Sequence, residues 1–265
     1  MKLWSLKTNN FFQIIILALM LSASMICYCQ NDNKNSNLPP KTFPIGLRVG
    51  LHNDFFSNTN ENDFIELEYK DRLTFIAGFD VELFRTRQWL FTTGFFVKNI
   101  SQSKSYNITA DQLGRERGTN AEFIESPYWT YHLPVEALYR FNKSTKHPLY
   151  FKGGLELQHY GYTPGRYRHP FLSVNGIPRT IGEYEEYQSP FTFGANLGLA
   201  GDIYLNDNSK FRIALTGHYH FQTMEETFIT TTNLAVPGAT SKHEWTGHYI
   251  NLSLTYFPKK GFIRF

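Results

Sequence analysis

Between residues 44 and 257 apolar and polar side chains alternate with a period of two in eight separate stretches. Residues 131–141 show the pattern most plainly. Leu133, Val135, Ala137, Tyr139 and Phe141 fall on one face, and His132, Pro134, Glu136, Leu138 and Arg140 fall on the other. Side chains of an extended chain point alternately to its two faces, so the pattern predicts a strand with one apolar and one charged face. The eight predicted strands cover residues 44–55, 71–85, 89–100, 129–142, 148–162, 189–205, 210–223 and 244–257. In the second, Phe75, Ala77, Phe79, Val81 and Leu83 oppose Thr74, Gly78, Asp80 and Glu82; in the fifth, Leu149, Phe151, Leu155 and Leu157 oppose Lys152, Gly154, Glu156 and Gln158. In the seventh, Phe211, Ile213, Leu215, Tyr219 and Phe221 oppose Arg212, Thr216, His218, His220 and Gln222; in the eighth, Ile250, Leu252, Leu254 and Tyr256 oppose Asn251, Ser253 and Thr255.

The connections alternate too. Those after the second, fourth and sixth strands are short (86–88, 143–147 and 206–209), and those after the first, third, fifth and seventh are long (56–70, 101–128, 163–188 and 224–243). Most connections in compact soluble domains are a few residues long. Strict short-long alternation on an even number of strands instead predicts an all-β, eight-stranded antiparallel up-and-down transmembrane barrel with periplasmic turns and extracellular loops. The facing follows from energetics. A Lys or Arg pointing at lipid near the bilayer midplane costs roughly 2–4 kcal/mol, so the charged face must point into the barrel. That places Arg48, Lys98, Arg140, Lys152 and Arg212 inside with Asp80, Glu82, Glu136, Glu156 and Asp202. An eight-stranded barrel is just wide enough for side chains to fill, and buried ions need partners, so these charges are expected to pair and plug the lumen. Gly46, Gly50, Gly78, Gly94, Gly154, Gly194 and Gly198 share the inward face, where they leave room for large neighbours and for strand bending. The reverse facing, with the charges in water, would give a soluble lipocalin-like barrel.

Composition fits strands better than helices. The chain has 24 Phe and 16 Tyr, yet a mean hydropathy of −0.36. Trp89 at the periplasmic side, and Tyr128, Trp129, Tyr131, Tyr160, Tyr162 and Trp245 at the other, suit interfacial aromatic girdles. Residues 1–29 read as a cleaved signal peptide: Lys2 and Lys7 precede an apolar run over residues 11–26, and Cys27-Tyr28-Cys29 stands before Gln30. The run is about 16 residues, short of the roughly 20 that a spanning helix needs. Residues 30–43, rich in Asn, Lys and Pro, read as a flexible periplasmic segment, residues 44–257 as the barrel and 258–265 as a C-terminal tail. Both cysteines lie in the leader, which leaves no disulfide framework or thiolate site for the folded part. The near-neutral charge of the mature chain gives no reason to expect a nucleic-acid partner.

Three features together resemble the outer-membrane β-barrel (PorT-like) families of Bacteroidetes: the Pro-containing strand Leu133-Pro134-Val135-Glu136-Ala137-Leu138-Tyr139-Arg140-Phe141, the leader ending before a Gln, and the closing strand Tyr249-Ile250-Asn251-Leu252-Ser253-Leu254-Thr255-Tyr256-Phe257. The resemblance spans about residues 44–257 and rests on residue class rather than on invariant residues. It implies an outer-membrane location and admits a role beside secretion proteins. Many such barrels end at the aromatic residue of the last strand, whereas here Pro258 to Phe265 follow.

Candidate chemistry is sparse. His218 and His220 stand two apart on one inward face, as two ligands of one metal could, or as the His that the barrel-embedded lipid hydrolases this architecture resembles pair with a Ser; Asn251 and Ser253 of the neighbouring strand face inward too. The alternative is that both histidines fill the lumen, hydrogen-bonded to acids or tyrosines. Acidic clusters occur at Glu183, Glu185 and Glu186 and at Glu225-Glu226, and Lys104, Arg115 and Arg117 could meet lipid phosphates. No phosphate-binding glycine loop, GxSxG, HExxH or EF-hand pattern occurs. The sequence therefore predicts a non-enzymatic barrel without a cofactor. Its expected surroundings are outer-membrane lipid and lipopolysaccharide, and it acts through its loops or a secretion partner. A lipid-modifying enzyme and a narrow solute channel are the alternatives.

Overall fold

The computed structural model describes residues 44–55, 58–61, 66–70, 73–100, 103–109, 111, 119–124, 128–144, 146–160, 166–167, 172–174, 177–179, 182–188, 190–205, 209–231 and 240–259. The leader, the 30–43 segment and residues 260–265 lie outside them. In chain order the strands are β1 (Ile45–Phe55), β2 (Asn58–Glu61), β3 (Glu66–Lys70), β4 (Leu73–Arg85), β5 (Trp89–Ile100), β6 (Ser103–Ile108), β7 (Thr119–Ile124), β8 (Tyr128–Arg140) and β9 (Leu149–Tyr160). There follow β10 (Arg166–Tyr167), β11 (Leu172–Val174), β12 (Ile177–Arg179), β13 (Gly182–Gln188), β14 (Phe191–Tyr204), β15 (Lys210–His220), β16 (Glu225–Thr231), β17 (Thr240–Trp245) and β18 (His248–Phe257). The predicted eight are β1, β4, β5, β8, β9, β14, β15 and β18. They close into an antiparallel up-and-down barrel in which β1 pairs with both β4 and β18.

The barrel strands run from 10 residues in β18 to 14 in β14, enough to cross a bilayer at the usual tilt. Two-residue periodicity sorts their side chains as the sequence predicts. No outward position of the eight strands carries Asp, Glu, Lys or Arg, and the outward leucines are well exposed, with Leu47 at 69%, Leu155 at 64% and Leu197 at 74%. A continuous apolar wall of this kind is a liability in water and an asset in hydrocarbon. No helix among the described residues is long and apolar enough to cross a membrane, so any crossing is by these strands.

The structure departs from the sequence expectation in three places. In β4 the pairing with β5 shifts between Glu82 and Phe84, a bulge at Leu83. Phe84 therefore points outward and Arg85 turns into the lumen, reversing the parity read from the sequence. The eighth predicted strand is broken at Gly247, whose φ of 71° suits glycine and where an added Cβ would fall 1.8 Å from Met224 Sδ. Finally, the long connections are not bare loops. They carry a five-stranded sheet in the order β10-β13-β16-β17-β2, a three-stranded sheet β3-β6-β7 and the hairpin β11-β12. Strands of two to seven residues are too short for their periodicity to stand out.

The inward glycines mark close strand contact as well as spare volume: a Cβ on Gly198 would sit 2.1 Å from the carbonyl oxygen of Leu215. The facing can be tested at the middle of β14. Leu197→Arg is expected to lower the barrel's unfolding free energy in lipid vesicles by about 2–4 kcal/mol, measured by denaturant titration; an unchanged midpoint would mean that this face does not meet lipid.

The lumen as candidate functional site

Twelve formal charges from the eight strands meet inside the barrel. Arg48, Arg85, Lys98, Lys152, Lys210 and Arg212 face Asp54, Asp80, Glu82, Glu136, Glu156 and Asp202, so cations and carboxylates are equal in number among the described residues. They are arranged in tiers. Nearest the short turns, Asp202 accepts from Arg212 Nε at 2.7 Å and from Lys210 Nζ at 2.8 Å. Glu82 accepts from Arg212 Nη2 at 2.7 Å, Lys210 Nζ at 2.5 Å and Arg85 Nη2 at 2.8 Å. The Phe257 ring lies against both cations, 4.6 Å from Lys210 Nζ and 5.1 Å from the Arg212 guanidinium carbon. An apolar cluster of Leu90, Leu138, Tyr150, Ala200 and Ala214 packs beside this tier.

The middle tier holds two pairs. Arg48 binds Asp80 through Nε at 3.1 Å and Nη2 at 3.0 Å, and Thr255 Oγ1 donates to the same carboxylate at 2.8 Å. Lys152 Nζ lies 2.9 Å from Glu136 Oε1. Of the ten charges the sequence places inside, Arg140 is the one that meets no carboxylate: its inward parity holds, but at the end of β8 it donates to the carbonyls of Asn142 and Ser144, tying down the turn. The pairing also uses three charged residues absent from the sequence reading. Asp54 and Lys210 share parity with Arg48 and Arg212 and could have been found by extending the alternation to the strand ends. Arg85 could not, because only the bulge turns it inward.

The upper tier gathers the histidines. Lys98 pairs with Asp54, whose Oδ2 is 3.3 Å from His52 Nδ1, and Lys98 Nζ lies 3.8 Å from the centre of the Tyr249 ring. Tyr249 donates its hydroxyl to Glu156 at 3.2 Å. Glu156 Oε1 is 3.0 Å from His132 Nδ1 and 3.7 Å from His220 Nε2, and Oε2 is 2.9 Å from His218 Nδ1. His218 stacks on Tyr249 with the centroids 4.1 Å apart, and His132 stacks on Phe96 at 4.6 Å. Asn251 Nδ2 lies 2.7 Å from His218 Nε2 and Thr130 Oγ1 lies 2.8 Å from His132 Nε2. Imidazoles and a phenol thereby surround one carboxylate.

His218 lies among an acid, an asparagine and a tyrosine, and His220 lies between Glu156 and Thr192, whose Oγ1 is 3.5 Å from His220 Nδ1. No group of three His, Cys, Asp or Glu among the described residues could hold a metal ion. Ser253 is inward, opposite Ala214 and Gly50, whereas His218 stands opposite Tyr249. Four strand positions separate the two levels, about 13 Å at the usual rise, so His, Ser and acid do not meet.

Above the histidines Ile100, Tyr160, Met224 and Trp245 form a buried apolar lid. Tyr160 and Trp245 thus leave the girdle that the sequence reading gives them, because each shares the parity of an inward residue, Gln158 and Tyr249 respectively. Trp89 and Trp129 are outward and exposed. The side chain of Tyr128, and Tyr162, lie outside the described residues, as do Lys104, Arg115 and Arg117 as side chains. Of the acidic clusters, Glu225 is buried, while Glu226 lies 3.6 Å from Lys242.

No known protein family matches the chain, and no curated protein matches it; the PorT-like resemblance therefore rests on the quoted residues alone. Among solved structures the chain is similar to the outer membrane protein OprG of Pseudomonas aeruginosa, at 9% identity and a TM-score of 0.49, covering 84% of this chain and 99% of that one. A major outer membrane protein from Thermus thermophilus matches at 12% identity and a TM-score of 0.39, covering 80% and 99%. The outer membrane protease OmpT of Escherichia coli matches at 10% and 0.38, covering 84% and 100%. Likenesses this distant carry no residue role across.

Asp202→Asn leaves Lys210 and Arg212 with one carboxylate between them and is expected to cost about 3–5 kcal/mol of stability. Adding Lys210→Met should restore part of it; a double variant as weak as the single one would show that charge balance is not what this tier supplies.

Proposed function

We propose that this chain is a non-enzymatic outer-membrane barrel with a closed lumen, which holds its extracellular β-structured loops in place to bind a partner outside the cell or a neighbouring envelope or secretion protein. The observation that carries the reading is the lumen itself. Six cations and six carboxylates are consumed by one another, and His132, His218 and His220 gather on Glu156, under an apolar lid. An interior built in this way offers no free charge to a substrate and no path to an ion, so the parts left to act are those beyond the wall. The uncharged outward face supports a place in a bilayer, and closed barrels are the strand-built solution for crossing one. Export by a leader over residues 1–29, and surroundings of outer-membrane lipid and lipopolysaccharide, belong to the same proposal.

The closed lumen predicts that the purified protein, reconstituted in planar bilayers, gives no discrete conductance steps, whereas Glu82→Ala/Asp202→Ala, which truncates both carboxylates of the lower tier, raises the leak. Steady single-channel steps from the unaltered protein would overturn the plugged reading. On whole cells, protease should cut within residues 101–128 or 163–188 and leave the barrel intact; complete protection would remove the loops as a binding surface.

A further inference from the structure

Beyond the wall the two rims differ in sign. The four connections at the loop end, residues 56–72, 101–127, 161–190 and 221–247, carry fifteen acidic against nine basic residues. The three short turns and the C-terminal segment carry Arg87, Lys143, Lys146, Lys259, Lys260 and Arg264 against Asp207 alone. Arg87, Lys143, Lys146 and Lys259 are all exposed. They occupy one continuous rim, because the turns are stitched together: Arg140 N donates to Gln88 O at 2.7 Å and Tyr204 N to Lys146 O at 3.3 Å.

On the wall side of this rim lies a collar of exposed rings. Phe84, Trp89, Phe91, Phe141 and Phe151 are between 40% and 54% exposed. Trp89 packs on Tyr139 at 5.0 Å and Phe141 on Phe151 at 4.6 Å. Aromatic collars of this kind sit where hydrocarbon gives way to headgroups. Arg87 lies two residues before Trp89, and Lys143 two residues after Phe141. At the usual rise this is about 7 Å of chain, which sets the cations at headgroup depth.

We propose that the short-turn rim is a binding surface for the phosphate of anionic glycerophospholipids in the facing leaflet. The proposal rests on the membrane reading above. Depth selects the ligand. A group that reaches these cations from beside an aromatic collar is a lipid headgroup, and guanidinium and ammonium groups such as these, which meet no carboxylate among the described residues, bind phosphate oxygens well.

The test uses the full-length protein in detergent, with bound lipid counted by native mass spectrometry during titration with phosphatidylglycerol or phosphatidylcholine of the same acyl chains. Phosphatidylglycerol should be retained at least about tenfold more strongly. Arg87→Gln/Lys143→Gln/Lys146→Gln/Lys259→Gln should abolish that preference while leaving heat-modifiable migration unchanged. If this variant does not fold, the pair Lys143→Gln/Lys146→Gln should reduce the preference on its own. Equal retention of the two lipids, a preference that survives the substitutions, or its complete loss to millimolar inorganic phosphate would each overturn the proposal. Failure of the membrane reading would show separately, as a protein soluble without detergent.

Discussion

The structure depends on one constraint: no Asp, Glu, Lys or Arg points outward from the eight strands, so every such charge they carry is accommodated inside a tube only wide enough for side chains. Lipid makes an outward Lys or Arg expensive, and a narrow lumen makes an unpaired inward one expensive as well. Equal numbers of cations and carboxylates satisfy both demands at once. Much else follows from this. Arg85 is swung inward by a bulge to a carboxylate that already holds two cations, Tyr249 and two imidazoles enclose Glu156, and glycines allow neighbouring strands to approach these crowded tiers.

The same constraint shapes the functional reading. A lumen whose charges are turned on one another is a scaffold interior, and the chain's remaining freedom lies at the two rims. At one rim the connections are long, net acidic and organised into small sheets. At the other they are short, tied together by backbone hydrogen bonds and basic, above a collar of aromatic rings. Such polarity gives the barrel an orientation that its symmetrical wall does not.

Strand identity and facing were legible in the sequence because period two leaves its mark on every residue; Leu197 and Asp202 could be assigned to opposite faces from parity alone. What parity lacks is level. It puts His132, Glu156, His218 and Tyr249 on the inward face but does not say that stagger between strands brings the four together, nor that the same stagger holds Ser253 away from them. The Leu83 bulge was invisible, since one inserted residue leaves composition unchanged while reversing every side chain after it. Tyr160 and Trp245 show the opposite case. Their parity marked them as inward, but their nearness to strand ends suggested a girdle, and the pleat prevailed. The loop strands were hidden because they are short: β3 alternates Leu67 and Tyr69 with Glu66, Glu68 and Lys70 over only five residues, and β13 has Tyr184 and Tyr187 at opposite parities.

The facing of the wall is the claim on which the rest stands, and the chain makes it measurable because its only cysteines, Cys27 and Cys29, precede the barrel. With those replaced by serine, single cysteines at residues 193 to 201 of β14 can be spin-labelled in lipid vesicles and probed for collision with oxygen and with a water-soluble nickel chelate. The account predicts oxygen accessibility that rises at 193, 195, 197 and 199 and falls at the positions between them, with the chelate excluded throughout. Chelate collisions at the odd positions, with no alternation in oxygen, would put this face in water and contradict it.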